Sequence, residues 1–221
     1  MREKFNPARL DPLGSGMVLR VMPAPRKLRP LSLPNLLTYG RIAAIPVVVG
    51  LLFWPGDPSM RWWALAIYAL AGITDYLDGY LARLYQEQSS LGRMLDPIAD
   101  KLLVAACLLM LVADGTIRSW SIWAAIVILC REILVSGLRE YLAELKVSVP
   151  VSKLAKWKTT MQLVCLGFLI AGPAGDAFLP PDWTRLIGLA LLWVAAVLTL
   201  ITGYDYMKAS IRHLVEEDSE A

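Results

Sequence analysis

Six long apolar windows leave this chain few folds to choose from. They run from about Pro34 to Trp54, Arg61 to Leu84, Met94 to Ala113, Ser119 to Leu142, Lys153 to Ala171 and Trp183 to Tyr206. A helix needs about 20 mostly apolar residues to cross a bilayer, because its backbone groups must bond within the segment. Composition agrees: 57% of the 221 residues are hydrophobic and only 19% are charged. The windows predict an all-α integral membrane protein, a six-transmembrane-helix bundle with an N-terminal juxtamembrane segment. No soluble domain and no internal repeat is visible.

Orientation follows from the basic residues between the windows. Arg2, Lys4, Arg9, Arg20, Arg26, Lys27 and Arg29 precede the first, Arg83 and Arg93 flank the second connection, and Lys146 and Lys153 flank the fourth. The opposite side offers only Arg61, Arg118 and Arg185. This bias predicts that both termini lie in the cytoplasm. Residues 1–33 then form a cytoplasmic basic segment, 34–209 a six-span core and 210–221 an acidic cytoplasmic tail. The stretch MVLRVMPAPRKLRP suits either an amphipathic contact with anionic lipid or a tail that sets topology. No apolar core marks the first thirty residues as a signal peptide, so membrane entry falls to the internal helices.

Other classes drop out. A net charge of +3 is too small to suggest nucleic acid. Cys107, Cys130 and Cys165 lie far apart in apolar runs and read as buried, reduced thiols. His213, the single histidine, lies beyond the last window, which argues against a serine–histidine or histidine-ligated zinc enzyme. Trp62, Trp63, Trp120, Trp123 and Trp183 sit at window ends and read as interfacial anchors.

The stretch from Asp75 to Lys101, DYLDGYLARLYQEQSSLGRMLDPIADK, sets the chemistry. Asp75 and Asp78 are three apart, and Asp96 and Asp100 four apart, so each pair shares a helix face. The short connection between the two windows predicts antiparallel helices that turn the pairs toward each other. Each bare carboxylate costs roughly 2.5–3.5 kcal/mol at the centre of a membrane helix. Donors that are all oxygen favour a hard cation such as Mg2+ or Mn2+. Two such ions would balance four carboxylates, and ions about 3.5–4 Å apart are suited to phosphate chemistry. A plainer reading has these aspartates capping helices, Asp96 before Pro97 above all, or pairing with Arg83, Arg93 and Lys101. Capping does not account for Asp75, Asp78 and Asp100 together.

The run D-x2-D-G-x2-A-R-x8-G-x3-D-x3-D comprises Asp75, Asp78, Gly79, Ala82, Arg83, Gly92, Asp96 and Asp100. It resembles, position for position, the signature of the CDP-alcohol phosphotransferases. The likeness extends over nearly everything after Leu33, since the six-window layout matches that family's membrane core. The resemblance implies that Asp75 and Asp96 bridge two metal ions, Mg2+ or Mn2+, while Asp78 completes one site and Asp100 the other. It also implies that Asp100 is the general base, and that Gly79, Arg83, Ser89 and Gly92 lie at the cytidine nucleotide and its diphosphate. The upstream PNLLTYGR resembles the family's first-span opening, which adds Asn35 and Thr38 to the nucleotide contacts.

The second half of the chain bears on the acceptor alcohol. In REILVSGLREYLAEL, Arg131 and Arg139 are eight residues apart and share a face; Glu132 and Glu140 fall elsewhere on the wheel. Lys156 and Lys158 follow at the start of the fifth window. Together these cations suit the phosphate of a small acceptor, arginine by bidentate contact and lysine by point charge. The segments resemble the phosphatidylglycerolphosphate synthase branch of the family, where R-E-x6-R-E precedes G-K-x-K-T; Ala155 stands where that branch commonly has glycine.

The reading is a bacterial inner-membrane enzyme whose active site faces the cytoplasm. It joins CDP-diacylglycerol and sn-glycerol 3-phosphate into phosphatidylglycerol phosphate and CMP among the membrane lipids. The resemblance further implies a homodimer. Inositol phosphate, serine or a second phosphatidylglycerol are the competing acceptors, and the arginines disfavour serine. A cation transporter is the rival from another class; its sites lie at the bilayer midplane, whereas these acids cluster near one membrane face.

Overall fold

The computed structural model describes residues 33–54, 56–85, 90–144 and 153–220. They form six helices and, among the described residues, no strands. The helices are α1 (Leu33–Leu52), α2 (Pro58–Tyr85), α3 (Ser90–Ala113), α4 (Ser121–Glu144), α5 (Lys153–Gly175) and α6 (Trp183–Glu220). Their order and number follow the six apolar windows, and the chain is an all-α membrane protein.

Three helices are long and apolar enough to cross a membrane by length and composition: Asn35–Leu52 in α1, Ser121–Ala143 in α4 and Trp183–Ile211 in α6. Charged and polar side chains dilute the other three. Helices α2, α3 and α5 have 28, 24 and 23 residues, which at 1.5 Å per residue gives about 35–42 Å. They match the bilayer in length and depart from it in composition, through charged residues such as Asp75, Asp96, Asp100 and Lys158.

Local chemistry sets the boundaries. Asp57 is the N-cap of α2: its Oδ1 accepts from the Ser59 amide at 2.9 Å, and Pro58 occupies the first helical position. Asp176, just past α5, accepts from the amides of Asp182 at 2.9 Å and Thr184 at 3.4 Å, tying off the start of α6. The third helix opens at Ser90, so Asp96 and Pro97 lie inside it. Asp96 is therefore not a helix cap, and its carboxylate is available for tertiary contact. The sixth helix continues well past Tyr206 and carries the acidic end of the chain to Glu220.

Apolar side chains from every helix meet in one core, with Val48, Tyr68, Leu108, Ile128, Leu166 and Leu192 near its centre. Helix α5 packs along α6, α4 also packs on α6, and α1 packs against both α2 and α3. Cys107 and Cys165 are buried in this core, but Cys130 is exposed on α4, contrary to the reading of all three as buried. The five tryptophans are exposed at helix ends, and Trp62 meets Phe178 edge-on at 5.8 Å.

The end of the bundle opposite the aspartates is closed by an ion pair. Arg61 Nη2 lies 2.5 Å from Asp114 Oδ2, and both side chains are buried. Thr116 Oγ1 accepts from the same nitrogen at 3.2 Å, and the Ile170 carbonyl from Nη1 at 3.2 Å. Helix α5 kinks there at Gly172, whose φ of 46° precedes Pro173. A Cβ at Gly172 would stand 2.6 Å from Arg61 Nη1, so the space and the backbone both call for glycine.

Candidate active site

Asp75 on α2 and Asp96 on α3 meet through a residue of α1. The Nη1 of Arg41 is 2.7 Å from Asp75 Oδ1 and 2.8 Å from Asp96 Oδ1. The Arg41 side chain is 1% exposed, whereas the two carboxylates remain partly open. Two like charges repel at close range, and a shared guanidinium bridges the two carboxylates, which approach each other from α2 and α3. Asp100, one turn beyond Asp96, lies within electrostatic reach of Arg41, Glu132, Lys101 and Lys158. Lys101 itself turns back to donate to the Pro97 carbonyl at 3.0 Å.

Arg41 was missed in the sequence, although it stands in PNLLTYGR. The signal was its spacing: Asn35, Thr38 and Arg41 recur every three residues, and all three are buried on α1. A buried arginine in a membrane helix requires an anion, and two of the signature's aspartates supply it. Gly92 is buried near the start of α3. The α2 backbone carries Asp78, Gly79 and Arg83, but their side chains lie outside the described residues, as does Ser89.

Donor chemistry and charge fit a hard divalent cation. Two carboxylates from different helices already share one cationic nitrogen, and the remaining acids of the signature are also oxygen donors. Among the described residues no cluster of three or more acidic, cysteine or histidine side chains is gathered tightly enough to hold a metal. The third member of the expected set nearest in sequence, Asp78, is outside them.

A second charged cluster joins α4, α5 and α6. Glu132 lies 3.6 Å from Arg131 Nη1, and the same Oε1 accepts from Lys158 Nζ. This corrects the wheel-based placement of Glu132 away from the cations. The side chain is long enough to swing toward α5, and the otherwise unbalanced Lys158 draws it there. Arg131 Nη2 donates to Thr202 Oγ1 at 3.0 Å, and Arg139 Cζ stands 5.7 Å from the Tyr206 ring centroid. Both arginines thus face α6, as their shared face requires. The Lys156 side chain lies outside the described residues.

The fold and the site together are those of an all-helical membrane bundle that carries paired acids and a basic cluster among its helices. Residues 31–201 match the family model described as CDP-alcohol phosphatidyltransferase, and the chain belongs to that family. Members of the family generally depend on divalent metal. A Rickettsia bellii protein named CDP-diacylglycerol--glycerol-3-phosphate 3-phosphatidyltransferase is 49% identical over 178 residues, covering 80% of this chain and 94% of the relative. Proteins with the same name from Cereibacter sphaeroides (37% identity, 84% of this chain, 98% of the relative) and Shigella flexneri (38% identity, 84% and 98%) are also similar.

Proposed function

We infer that this chain transfers a phosphatidyl group from CDP-diacylglycerol to sn-glycerol 3-phosphate, producing phosphatidylglycerol phosphate and CMP in phospholipid biosynthesis. One observation carries the reading: Asp100, a turn beyond the Asp75–Asp96 pair, lies within electrostatic reach of Lys158, whose partner Glu132 also stands beside Arg131. Acids for a metal-bound diphosphate and cations for a phosphorylated acceptor thus occupy neighbouring ground. The names of the relatives support the same donor and acceptor.

Asp75, Asp78, Asp96 and Asp100 would hold two divalent ions, Mg2+ or Mn2+, which when bound supply positive charge to the diphosphate. Asn35 and Thr38 on α1, with Gly79, Arg83, Ser89 and Gly92, contact the cytidine nucleotide. Arg131, Arg139, Lys156 and Lys158 hold the acceptor's own phosphate. Asp100 takes the proton from the glycerol hydroxyl, whose oxygen attacks the lipid-linked phosphorus. The bond to CMP breaks, and CMP leaves with the electron pair. Positioning and electrostatics supply most of the acceleration in such phosphoryl chemistry.

The basic N-terminal segment and the charge bias favour a six-span core over 34–209, with both termini and the site on the cytoplasmic face of a bacterial inner membrane. The chain works as a homodimer in this reading. Incubating the purified protein with CDP-diacylglycerol, Mg2+ and each acceptor in turn tests the chemistry. CMP release that requires glycerol 3-phosphate is expected. Release driven equally by inositol phosphate or serine would reassign the acceptor, and release with none would remove the transferase reading.

A further inference from the structure

Arg131 is held by α6 as well as by its own helix. Its Nη2 donates to Thr202 Oγ1 at 3.0 Å, and that hydroxyl donates onward to the Leu198 carbonyl at 2.8 Å. The neighbouring Gly203 gives the arginine stem room to lie against the helix. A Cβ there would stand 3.0 Å from Arg131 Cγ and 3.2 Å from Nε, closer than side chains ordinarily pack. On the α4 side Glu132 sits 3.6 Å from Nη1, and its shared oxygen keeps Lys158 alongside. Residues of three helices therefore surround one guanidinium. Its buried Nε has no hydrogen-bond partner among the described residues.

We propose that Thr202 and Gly203 are positioning residues for the acceptor. They seat Arg131 against α6 so that its remaining Nη donors serve the phosphate of the incoming phosphorylated alcohol. This rests on the assignment of Arg131 to the acceptor phosphate made above. It also divides the labour of the bundle, with α1 to α3 serving the nucleotide and α6 joining α4 and α5 behind the acceptor. Neither residue touches the reacting atoms; each acts through Arg131.

The test uses the full-length enzyme in mixed lipid–detergent micelles. Initial rates of CMP release are measured against glycerol 3-phosphate at saturating CDP-diacylglycerol, and then with the two exchanged. Thr202→Val keeps the shape and loses the hydroxyl, and is expected to raise KM for glycerol 3-phosphate about tenfold. The KM for CDP-diacylglycerol should stay within about twofold of wild type. Thr202→Ser keeps the hydroxyl and should behave like wild type, whereas Gly203→Ala should follow Thr202→Val. In an Arg131→Lys background, Thr202→Val should add less than about twofold, since the group it seats is gone. The proposal is overturned if Thr202→Val leaves the acceptor KM unchanged, raises both KM values together, or acts as strongly without Arg131. If the wild-type enzyme uses a different phosphorylated alcohol, the acceptor assignment above fails separately, and the same comparison with that alcohol decides the seat. Turnover with no phosphorylated alcohol overturns both.

Discussion

Arg41 holds its Nη1 2.7 Å from Oδ1 of Asp75, and the same nitrogen reaches Oδ1 of Asp96 at 2.8 Å. A single buried cation on α1 thereby fixes the distance between two helices whose acids would otherwise repel. The arrangement fixes the geometry of the two acids without any ligand, and it makes Arg41 a target for mutation.

Arg41→Met leaves Asp75 and Asp96 facing each other without their shared cation. Removing one partner of a buried ion pair is worth up to about 3–5 kcal/mol, less here because both carboxylates are partly open. The thermal midpoint of the metal-free protein in detergent should fall by several degrees. Saturating Mg2+ should recover part of the loss by supplying the same charge. An equal loss with and without Mg2+ would mean that Arg41 is only a packing residue.

Asp100→Asn keeps the shape of the side chain and removes its basicity. A general base contributes about 10²–10⁴-fold, so CMP release should drop by at least that lower figure while binding of the CDP-lipid stays measurable. Near-normal turnover would take the proton-accepting role away from Asp100.

The far end of the bundle gives a stability prediction. Gly172→Ala places a methyl 2.6 Å from Arg61 Nη1 at a residue with φ of 46°. Backbone strain and disturbance of the Arg61–Asp114 pair should cost roughly 2–4 kcal/mol. Unfolding in detergent measures it, and Arg61→Met should be damaging as well. A Gly172→Ala midpoint equal to wild type would contradict the packing described.

Asp176 supplies a pH dependence outside the membrane-spanning segments. The amides of Asp182 and Thr184, which donate to its oxygens, hold its carboxyl below the usual value of 3.8. A depressed carboxylate stabilises the fold above its unfolded value, and that contribution disappears as pH falls through the lower, folded one. Asp176→Ala should therefore melt a few degrees below wild type at pH 7, with the gap closing under pH 4 as wild type loses the same contacts. A gap that persists unchanged into that acidic range would show that the cap works without its charge.

Much of this could be read from residue order alone. The apolar windows foretold six helices because helix length in a bilayer is set by hydrocarbon thickness, and the spacing of the aspartates pointed to the approach of Asp75 and Asp96 because helical periodicity converts three and four residues into one face. What escaped was tertiary. Arg61 looks in sequence like a topology marker and Arg41 like one more residue of the first window, and only the fold reveals that each is buried against an acid from another helix or the turn beyond it. Glu132 was misplaced because a helical wheel fixes the Cβ and not the end of a flexible side chain. The seat formed by Thr202 and Gly203 was invisible for a similar reason: it depends on α4 and α6 meeting across 71 residues of chain.

The most direct test of the whole account is to count manganese ions bound at equilibrium, by electron paramagnetic resonance, in the presence of CDP-diacylglycerol. The wild-type chain should bind about two ions, and Asp75→Asn and Asp96→Asn should each lose most of that binding. Undiminished manganese binding in both variants, or none in wild type, would contradict the assignment of these acids as the metal-holding centre of the enzyme.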